Sequence, residues 1–294
     1  MFMIPPQVLE KVTGFLQSGS SQPVKILSVQ AISGGCINHT LQIKTNQGSY
    51  FLKYNVSSRF PQMFQKEAKG LELLRSSGAI NVPEVLLTGE AGDFSFLLLE
   101  FIDSAQMKAD FWNDFGKSLA ALHSHKAEKF GLDHDNFMGS LEQRNNFHEN
   151  WIEFFVIERL EPQARLAREK NALSKTDVQA FERLYQKLGG IFPKALPSLL
   201  HGDLWSGNFM INHQGNPCLI DPAVYYGHPE IDIAMTTLFG GFSQRFYEVY
   251  NYHNPLEKGW QNRLDIYNLY PLMIHVNLFG GGYLSSVRGI LGRF

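Results

Sequence analysis

The order of the secondary-structure signals constrains the fold of this 294-residue chain more than any other feature. Short β-branched and aromatic runs between glycine and polar turns predict strands at residues 24–33, 40–45, 49–54, 82–88 and 94–101. One amphipathic segment, residues 60–77, interrupts them and predicts a helix. After Asp103 the pattern becomes helical, and the predicted helices are 108–124, 148–169, 174–189, 230–239, 243–252 and 259–279. We therefore expect an α+β fold with two lobes: a small N-terminal antiparallel sheet lobe with one helix (1–102) and a larger, mainly helical C-terminal lobe (103–294).

The composition excludes several classes of protein. Hydrophobic residues make up 44% of the chain and charged residues 18%, which is typical of a globular protein and not of a disordered chain or a coiled coil. The 26 basic and 28 acidic residues give a net charge of −2. Because no excess of cations is present to neutralise phosphates or anionic lipids, we expect neither a nucleic-acid nor a membrane partner.

Cysteine usage and the apolar runs bear on the compartment. Two cysteines, Cys36 and Cys218, are too few for a disulfide framework. The sequence does not open with a basic segment followed by a long apolar run, and its most apolar stretch, 94–102, contains Glu100 and is well short of the ~20 residues of a membrane span. We therefore expect a cytoplasmic protein, while the oligomeric state stays open.

The densest polar chemistry lies in HGDLWSGNFMINHQGNPCLIDPA, residues 201–223. Asp203 and Asn208 precede one apolar run, and Asp221 ends the next, so a hairpin would bring the three side chains together. Transfer of a γ-phosphoryl group needs such a set, because Mg²⁺ is held by carboxylate and amide oxygens and a second carboxylate orients and deprotonates the acceptor hydroxyl. The arrangement resembles the catalytic loop HRDxxxxN of protein kinases and the DFG that follows it. That match implies Asp203 as the catalytic base and Asn208 and Asp221 as metal ligands, with His201 in a scaffold role.

The strand-rich lobe supplies candidates for a nucleotide site in the order that a kinase needs. The turn SGGCIN would let backbone amides approach phosphates, Lys53 in a strand would reach the α- and β-phosphates, and Glu67 on the next helix would hold the lysine. Glu67 is preferred to Glu72. The sequence contains neither GxxxxGK[ST] nor GxGxxG, so it favours neither a P-loop NTPase nor a dinucleotide fold. The predicted nucleotide-binding residues are Gly34, Gly35, Cys36, Lys53, Glu67 and, through their backbone at the adenine edge, Glu100, Phe101 and Ile102.

Longer motifs make the resemblance more specific. SGGCINHT, MFQKEAKGLELL, HGDLWSGN, IDPAVYYGHPEIDIAMTTLFGGF and LFGGGY together resemble the fructosamine kinase family, or ketosamine 3-kinases, which belong with the aminoglycoside phosphotransferase-like kinases. The match covers about residues 28–283. The resemblance implies a two-lobed protein-kinase-like fold, ATP with Mg²⁺ as cofactors, and phosphorylation of the sugar 3-hydroxyl of a ketosamine (a fructosamine, ribulosamine or erythrulosamine adduct) in protein deglycation. The preferred ketosamine, free or protein-linked, stays open.

Two residues near the predicted base are candidates for acceptor binding. Trp205 offers a flat ring for the apolar face of a sugar or for a protonated ketoamine, and His228 offers an imidazole. Asp232, in the first turn of a predicted helix, is expected to anchor the catalytic loop, and His123 and His125 are expected to face solvent. Oxidation of Cys36 is a further hypothesis, with reduced nucleotide binding as its consequence.

Two other functions remain as alternatives. One is a kinase with a different small acceptor, such as an aminoglycoside, choline, homoserine or a plain sugar. The other is a nucleotide-binding pseudokinase with a regulatory role, which should lack the lysine, the base or a metal ligand. All of these positions are filled in this chain.

Overall fold

The computed structural model describes residues 4–32 and 37–294, and its N-terminal part is built on a five-stranded antiparallel sheet. The strand order is β1-β2-β3-β5-β4, with β3 at the centre. In this register Lys53 of β3 lies between Thr40 of β2 and Leu97 of β5. The strands are β1 (Ile26–Ala31), β2 (His39–Thr45), β3 (Gly48–Val56), β4 (Val85–Ala91) and β5 (Phe94–Glu100).

A helix covers each face of this sheet. Strand alternation puts Leu52 and Tyr54 on one face, where they share a core with α1 (Pro6–Ser18). Lys53 points to the other face, which α2 (Met63–Ser76) covers. Because α2 packs against Leu97 and Leu99 in a cluster that continues into the C-terminal helices, the sheet and the helical part share one core on this side.

The C-terminal part is mainly helical. A π-helical segment, Phe155–Leu160, joins α4 to α5, and a 3₁₀ turn, Trp260–Asn262, precedes α9. The helices are α3 (Phe111–His123), α4 (Trp151–Phe154), α5 (Glu161–Glu169), α6 (Lys175–Ile191), α7 (Glu230–Leu238), α8 (Gln244–His253), α9 (Leu264–Phe279) and α10 (Gly282–Leu291).

Short strand pairs bind the loops between these helices together. Each pair is antiparallel: β6 (Asn136–Met138) with β7 (Leu141–Gln143), β8 (Ser198–Leu200) with β11 (Tyr225–Gly227), and β9 (Phe209–Ile211) with β10 (Pro217–Leu219). The β8–β11 pair encloses residues 201–224, and the β9–β10 hairpin lies within them, so the segment with the densest polar chemistry is held at both ends and in its middle.

The α+β fold with an N-terminal antiparallel sheet is confirmed. The expectation of one helix beside the sheet is wrong, because α1 precedes β1 and buries Val8, Val12 and Leu16 against it. Within the part of the chain that the structure describes, no helix has the length and apolar character that a membrane span requires.

Candidate active site

Lys53 joins the sheet to both α2 and the β9–β10 hairpin. Its Nζ lies 2.7 Å from a Glu67 carboxylate oxygen and 2.5 Å from Oδ1 of Asp221. The side chains of Lys53 and Glu67 are 5% and 12% exposed, whereas that of Asp221 is 45% exposed. Burial alone would lower the pKa of Lys53, but the carboxylates of Asp221 and Glu67 outweigh burial and raise it, so the lysine is a permanent cation.

The β9–β10 hairpin brings Asn208 and Asp221 together, because the main-chain N–H of Ile220 donates to the carbonyl of Asn208 at 3.0 Å. Asn208 Nδ2 in turn donates to the carbonyl oxygen of Asp203 at 2.8 Å and to its Oδ2 at 3.0 Å. Asp203, Asn208, Asp221, Lys53 and Glu67 therefore form one connected group. The sequence expectation that these side chains lie near one another agrees with this geometry.

Asp232 at the start of α7 anchors the loop that carries Asp203. Its carboxylate is fully buried and accepts hydrogen bonds from the main-chain N–H groups of His201 and Gly202, at 2.8 and 2.9 Å. Gly202 has φ +85°, and a Cβ there would lie 2.0 Å from the carbonyl oxygen of Ala223, so only glycine fits. His201 contacts the segment that follows β10, because its Nε2 lies 2.9 Å from the carbonyl oxygen of Ile220.

His123 also belongs to this anchor, contrary to the expectation that it faces solvent. It is fully buried, with Nε2 3.1 Å from Asp232 Oδ2 and Nδ1 2.7 Å from the hydroxyl of Tyr250. The HxH pattern did not reveal this role, because His123 ends α3 on its buried face while His125 lies beyond the helix and is exposed. A buried histidine that bonds to a carboxylate orients it without becoming a metal ligand.

The site perturbs the acidity of Asp203. Burial is the main cause that raises the pKa of this carboxyl to about 7, the Asn208 hydrogen bond opposes the rise, and the charges of Asp221 and Asp232 add to it. A carboxylate with this pKa is suited to accept a proton near neutral pH. Asp221 has φ +54°, a left-handed backbone that is rare outside glycine and typical of functional sites.

The donor set fits Mg²⁺ that arrives with a nucleotide. Because Nδ2 of Asn208 is used in hydrogen bonds to Asp203, Oδ1 is the amide atom that can serve as a ligand, beside the half-exposed carboxylate of Asp221. In residues 4–32 and 37–294 no cluster of three or more His, Cys, Asp or Glu side chains could hold a metal ion. Mg²⁺ is commonly bound through one or two carboxylates plus substrate phosphates, which is the chemistry of this pair.

The predicted adenine-binding segment follows β5. Glu100 closes the strand, with its N–H donating to the carbonyl of Glu84 at 2.9 Å, and Phe101 and Ile102 are half-buried. The connection then runs beside the β9–β10 hairpin, where Ala105 N–H donates to the carbonyl of Ile211 at 3.3 Å. The predicted phosphate-binding residues Gly34, Gly35 and Cys36 lie outside the described residues.

Trp205 lies in the same loop as Asp203, and its ring is half-buried. The ring packs edge-on against Phe239 at 5.6 Å between centroids, and Phe239 in turn contacts the ring of His275 at 5.2 Å. A Cβ on Gly207 would lie 2.2 Å from the Trp205 ring, so glycine at this position lets the ring lie over the loop. Sequence reasoning missed Phe239 and His275 because they follow far later in the chain, on the loop after α7 and on α9.

His228 does not share this location. It is 2% exposed and packs between the rings of Trp151 and Tyr267, at centroid distances of 5.8 and 5.4 Å. Burial lowers the pKa of His228 to about 3, so the ring is neutral. The prediction that His228 contacts an acceptor is therefore corrected: its position in the core leaves almost no surface for a ligand.

Comparisons with known proteins agree with this architecture. A family model described as fructosamine kinase matches residues 8–294. A probable ketoamine kinase of Enterococcus faecium is 43% identical over 267 residues, which cover 90% of this chain and 94% of the relative. A chloroplastic protein-ribulosamine 3-kinase of Arabidopsis thaliana is 38% identical over 92% of this chain and 83% of its own length.

A solved structure gives the same result. The crystal structure of a candidate fructosamine-3-kinase from Haemophilus somnus 129PT superposes with a TM-score of 0.86 at 31% identity, over 96% of each chain. Its two-lobed kinase-like fold is thus the fold of this chain. The match of the family model to nearly all residues, and identities above 30% over most of the length of these relatives, mean that the chain belongs to the fructosamine kinase family.

Proposed function

We propose that this protein is an ATP-dependent kinase that phosphorylates the sugar 3-hydroxyl of ketosamines. The observation that carries the proposal is the contact of Lys53 with both Glu67 and Asp221, on the hairpin that also holds Asn208 against Asp203. A lysine, three carboxylates and an amide in one connected group are the side chains that phosphoryl transfer requires. The names of the Enterococcus and Arabidopsis relatives, a probable ketoamine kinase and a protein-ribulosamine 3-kinase, support this acceptor class.

ATP is held, in this proposal, by groups from the sheet and from the segment after β5. Lys53 contacts the α- and β-phosphates while Glu67 keeps its ammonium group in place. Gly34, Gly35 and Cys36, which lie outside the described residues, are the proposed phosphate-binding residues. The backbone of Glu100, Phe101 and Ile102 meets the adenine edge. Residues 1–102 are the nucleotide-binding lobe and residues 103–294 the catalytic lobe.

Asn208 and Asp221 are the residues that would hold Mg²⁺. When bound, the ion supplies positive charge that neutralises the phosphate oxygens. The carboxylate of Asp221 contacts Lys53 and is half-exposed, so it is accessible to an ion, and the hydrogen bonds of Asn208 to Asp203 keep metal ligand and base in a fixed relation.

Asp203 orients the acceptor and takes its proton. Its Oδ2 is held by Asn208, and the hydroxyl of the sugar donates to the carboxylate in line with the γ-phosphate. The raised pKa of Asp203, about 7, suits this proton transfer because a base works best when its pKa is near the operating pH.

The acceptor lies against the ring of Trp205, in this proposal. The apolar face of a sugar packs on an aromatic ring, and a protonated ketoamine nitrogen is attracted to its π-face. Phe239, 42% exposed beside Trp205, extends the apolar surface, and His275 adds a polar edge. Phosphorylation of such adducts would contribute to protein deglycation.

The test is an ATP-consumption panel with ribulosamine, erythrulosamine and fructosamine acceptors, and with an aminoglycoside and glucose as controls. We expect turnover with one or more ketosamines and none with the controls. Asp203→Asn should lower kcat by on the order of 10³ or more while ADP still binds. Asp133→Asn, on an exposed carboxylate, should leave kcat unchanged.

Two results would contradict the proposal. Turnover of the aminoglycoside or glucose without any ketosamine activity would mean that the acceptor class is wrong. Wild-type turnover in Asp203→Asn would mean that the base is another residue.

A further inference from the structure

Two buried side-chain amides hold the main chain that follows Asp221. Gln143 Nε2 donates to the carbonyl of Ala223 at 3.0 Å, and Asn136 Nδ2 donates to the carbonyl of Val224 at 2.8 Å. Gln143 and Asn136 are 1% and 4% exposed and face each other across the β6–β7 hairpin. The phosphoryl-transfer chemistry makes no direct use of either side chain, yet both are bonded to the segment that carries a proposed metal ligand.

These amides belong to a longer chain of hydrogen bonds, which we call the amide relay: Arg159, Asn145, Asn136 and Gln143. Arg159 Nη2 donates to Asn145 Oδ1 at 2.7 Å. Asn145 Nδ2 donates to Asn136 Oδ1 at 3.1 Å, and Gln143 Nε2 donates to the same oxygen at 2.8 Å. The hydroxyl of Tyr270 donates to Gln143 Oε1 at 2.9 Å.

The ends of the relay determine its direction. A guanidinium group can only donate hydrogen bonds and a main-chain carbonyl can only accept them. Each amide between Arg159 and the carbonyls of Ala223 and Val224 therefore has one orientation that satisfies every partner. A flipped Asn136 would direct its oxygen at the carbonyl of Val224 and leave both buried groups unpaired, which is costly.

Arg159 gives the relay a charge at its inner end. The residue is fully buried, and its guanidinium lies over the rings of Tyr225, Phe154 and Tyr270 at 4.0, 4.5 and 5.4 Å. A cation in a medium of low dielectric constant polarises the hydrogen bonds that lead away from it, here through Asn145 to Asn136, so the Asn136 N–H that bonds to Val224 becomes a stronger donor.

His201, in the catalytic loop, holds the main chain on both sides of Asp221. His201 bonds to the carbonyl of Ile220, and the N–H of Ala223 donates to the carbonyl of His201 at 2.9 Å. Asp221 lies between these fixed points with φ +54°. A non-glycine residue persists in this conformation only when its surroundings impose it.

We propose that the amide relay is a positioning device that imposes the left-handed backbone of Asp221 and so directs its carboxylate towards Lys53 and the proposed magnesium site. Gln143 and Asn136 are its positioning residues, and the inference rests on the proposed role of Asp221 as a metal ligand. Without the two donors, the carbonyls of Ala223 and Val224 turn to other partners and the Asp221 backbone relaxes.

The experiment measures ADP binding to the full chain by calorimetry, with and without Mg²⁺. The quantity of interest is the magnesium coupling, defined as the ratio of the ADP Kd without Mg²⁺ to the Kd with Mg²⁺. Gln143→Met keeps the length of the side chain and removes the donor. We expect it to lower the coupling about tenfold or more, the usual size of the effect when a partner of a metal ligand is lost.

The matched control is Asn277→Leu. Asn277 is 6% exposed and donates to the carbonyl of Gln163 at 3.0 Å, so the variant also loses a buried amide that bonds to the main chain. The magnesium coupling of Asn277→Leu should equal that of the wild type, even if its melting temperature falls as much as that of Gln143→Met. Tyr270→Phe, which removes only the hydroxyl that holds Gln143, should lower the coupling less than Gln143→Met does, and it replaces that variant if Gln143→Met does not fold.

Hydrogen exchange gives a readout that does not depend on the metal. Peptides that span residues 217–227 should exchange faster in Gln143→Met than in the wild type and Asn277→Leu. Two results would overturn the inference. One is a coupling and an exchange rate equal to those of the wild type in both Gln143→Met and Tyr270→Phe. The other is a loss of coupling in Asn277→Leu equal to that in Gln143→Met. If the coupling of the wild type is near one, Mg²⁺ does not affect ADP binding. This result would overturn the proposed role of Asp221 as a metal ligand, and the inference with it.

Discussion

Asp203 shows how the environment of one residue serves activity at the expense of stability. Its carboxyl has a pKa of about 7, raised mainly by burial from the ordinary 3.8. The folded chain thus binds a proton more tightly than the unfolded chain does, and the free energy of unfolding falls as the pH rises between these two values. A base held in this way is destabilising at the pH at which it works.

The consequence is a prediction for Asp203→Asn. At about pH 8 the variant should melt at a higher temperature than the wild type, because it removes a charge that the folded state disfavours, and the difference should vanish towards about pH 4. The wild-type kcat/KM should fall as the pH drops through about 7, since the protonated carboxyl cannot accept a proton. Thermal melts across this range and a pH–rate profile check both statements. A variant that is less stable than the wild type at both pH values would contradict the assigned pKa.

At the scale of elements, hydrophobic periodicity predicted most of the fold. Every predicted strand and helix overlaps an observed one, and the ends differ by a few residues, as at α2, where residues 60–77 were expected and Met63–Ser76 form the helix. The prediction missed α1, although Val8, Val12 and Leu16 recur at helical spacing after a proline start, and it missed α10, which begins in a run of glycines. The predicted lobe boundary between residues 102 and 103 remains a prediction.

The contact between α6 and α10 depends on Asp177. This carboxylate completes the capping box of α6 with Ser174 and accepts from Nε and Nη2 of Arg288 in α10, at 2.9 and 2.8 Å. The Arg288 hydrogen bond is the main cause that holds the pKa of Asp177 well below its usual range. Its stabilising effect is therefore present above the unfolded pKa of ~3.9 and is lost as the pH falls below it.

We expect Asp177→Ala to lower the free energy of unfolding by about 1–2 kcal/mol at neutral pH, because it removes the N3 half of the capping box that Ser174 begins. Arg288 is 51% exposed, so the ion pair itself adds little. The control is Asp265→Ala, which breaks a surface pair with Arg293 and should cost less than about 1 kcal/mol. Urea unfolding at neutral pH and below about pH 4 measures the free energy of unfolding of both variants. An equal loss of free energy in Asp177→Ala and Asp265→Ala would contradict the cap argument.

At the scale of the whole molecule, the two parts of the chain meet directly behind Asp221. Gly70 of α2 packs on this segment, and a Cβ there would lie 3.0 Å from Val224 and 3.7 Å from Pro222. Residues 201–223 were predicted as the site from their motif, because spacing within one hairpin can be derived from sequence. The β6–β7 amides, His123 and Phe239 could not be predicted, since their contacts depend on long-range packing.

Gly70→Val should separate α2 from this segment and disturb the contacts of Lys53 with Glu67 and Asp221. We expect ADP affinity to fall on the order of tenfold, about 1.4 kcal/mol. Gly14→Val is the matched control, because it places the same side chain in a helix of the N-terminal lobe where a Cβ meets nothing within 4 Å. Calorimetric ADP titrations compare the two, and an equal affinity in both variants would show that the packing of Gly70 does not control the nucleotide site.

The burial of Cys218 gives this junction an intrinsic reporter. The thiol is 1% exposed in β10, where Cys218 bridges to Asn81 from the linker between α2 and β4. Burial raises its pKa to about 12, so almost none of it is thiolate at neutral pH. Alkylating reagents therefore modify it only when the structure around β10 opens, and in a Cys36→Ser chain the labelling rate measures how often this opening occurs without any attached dye.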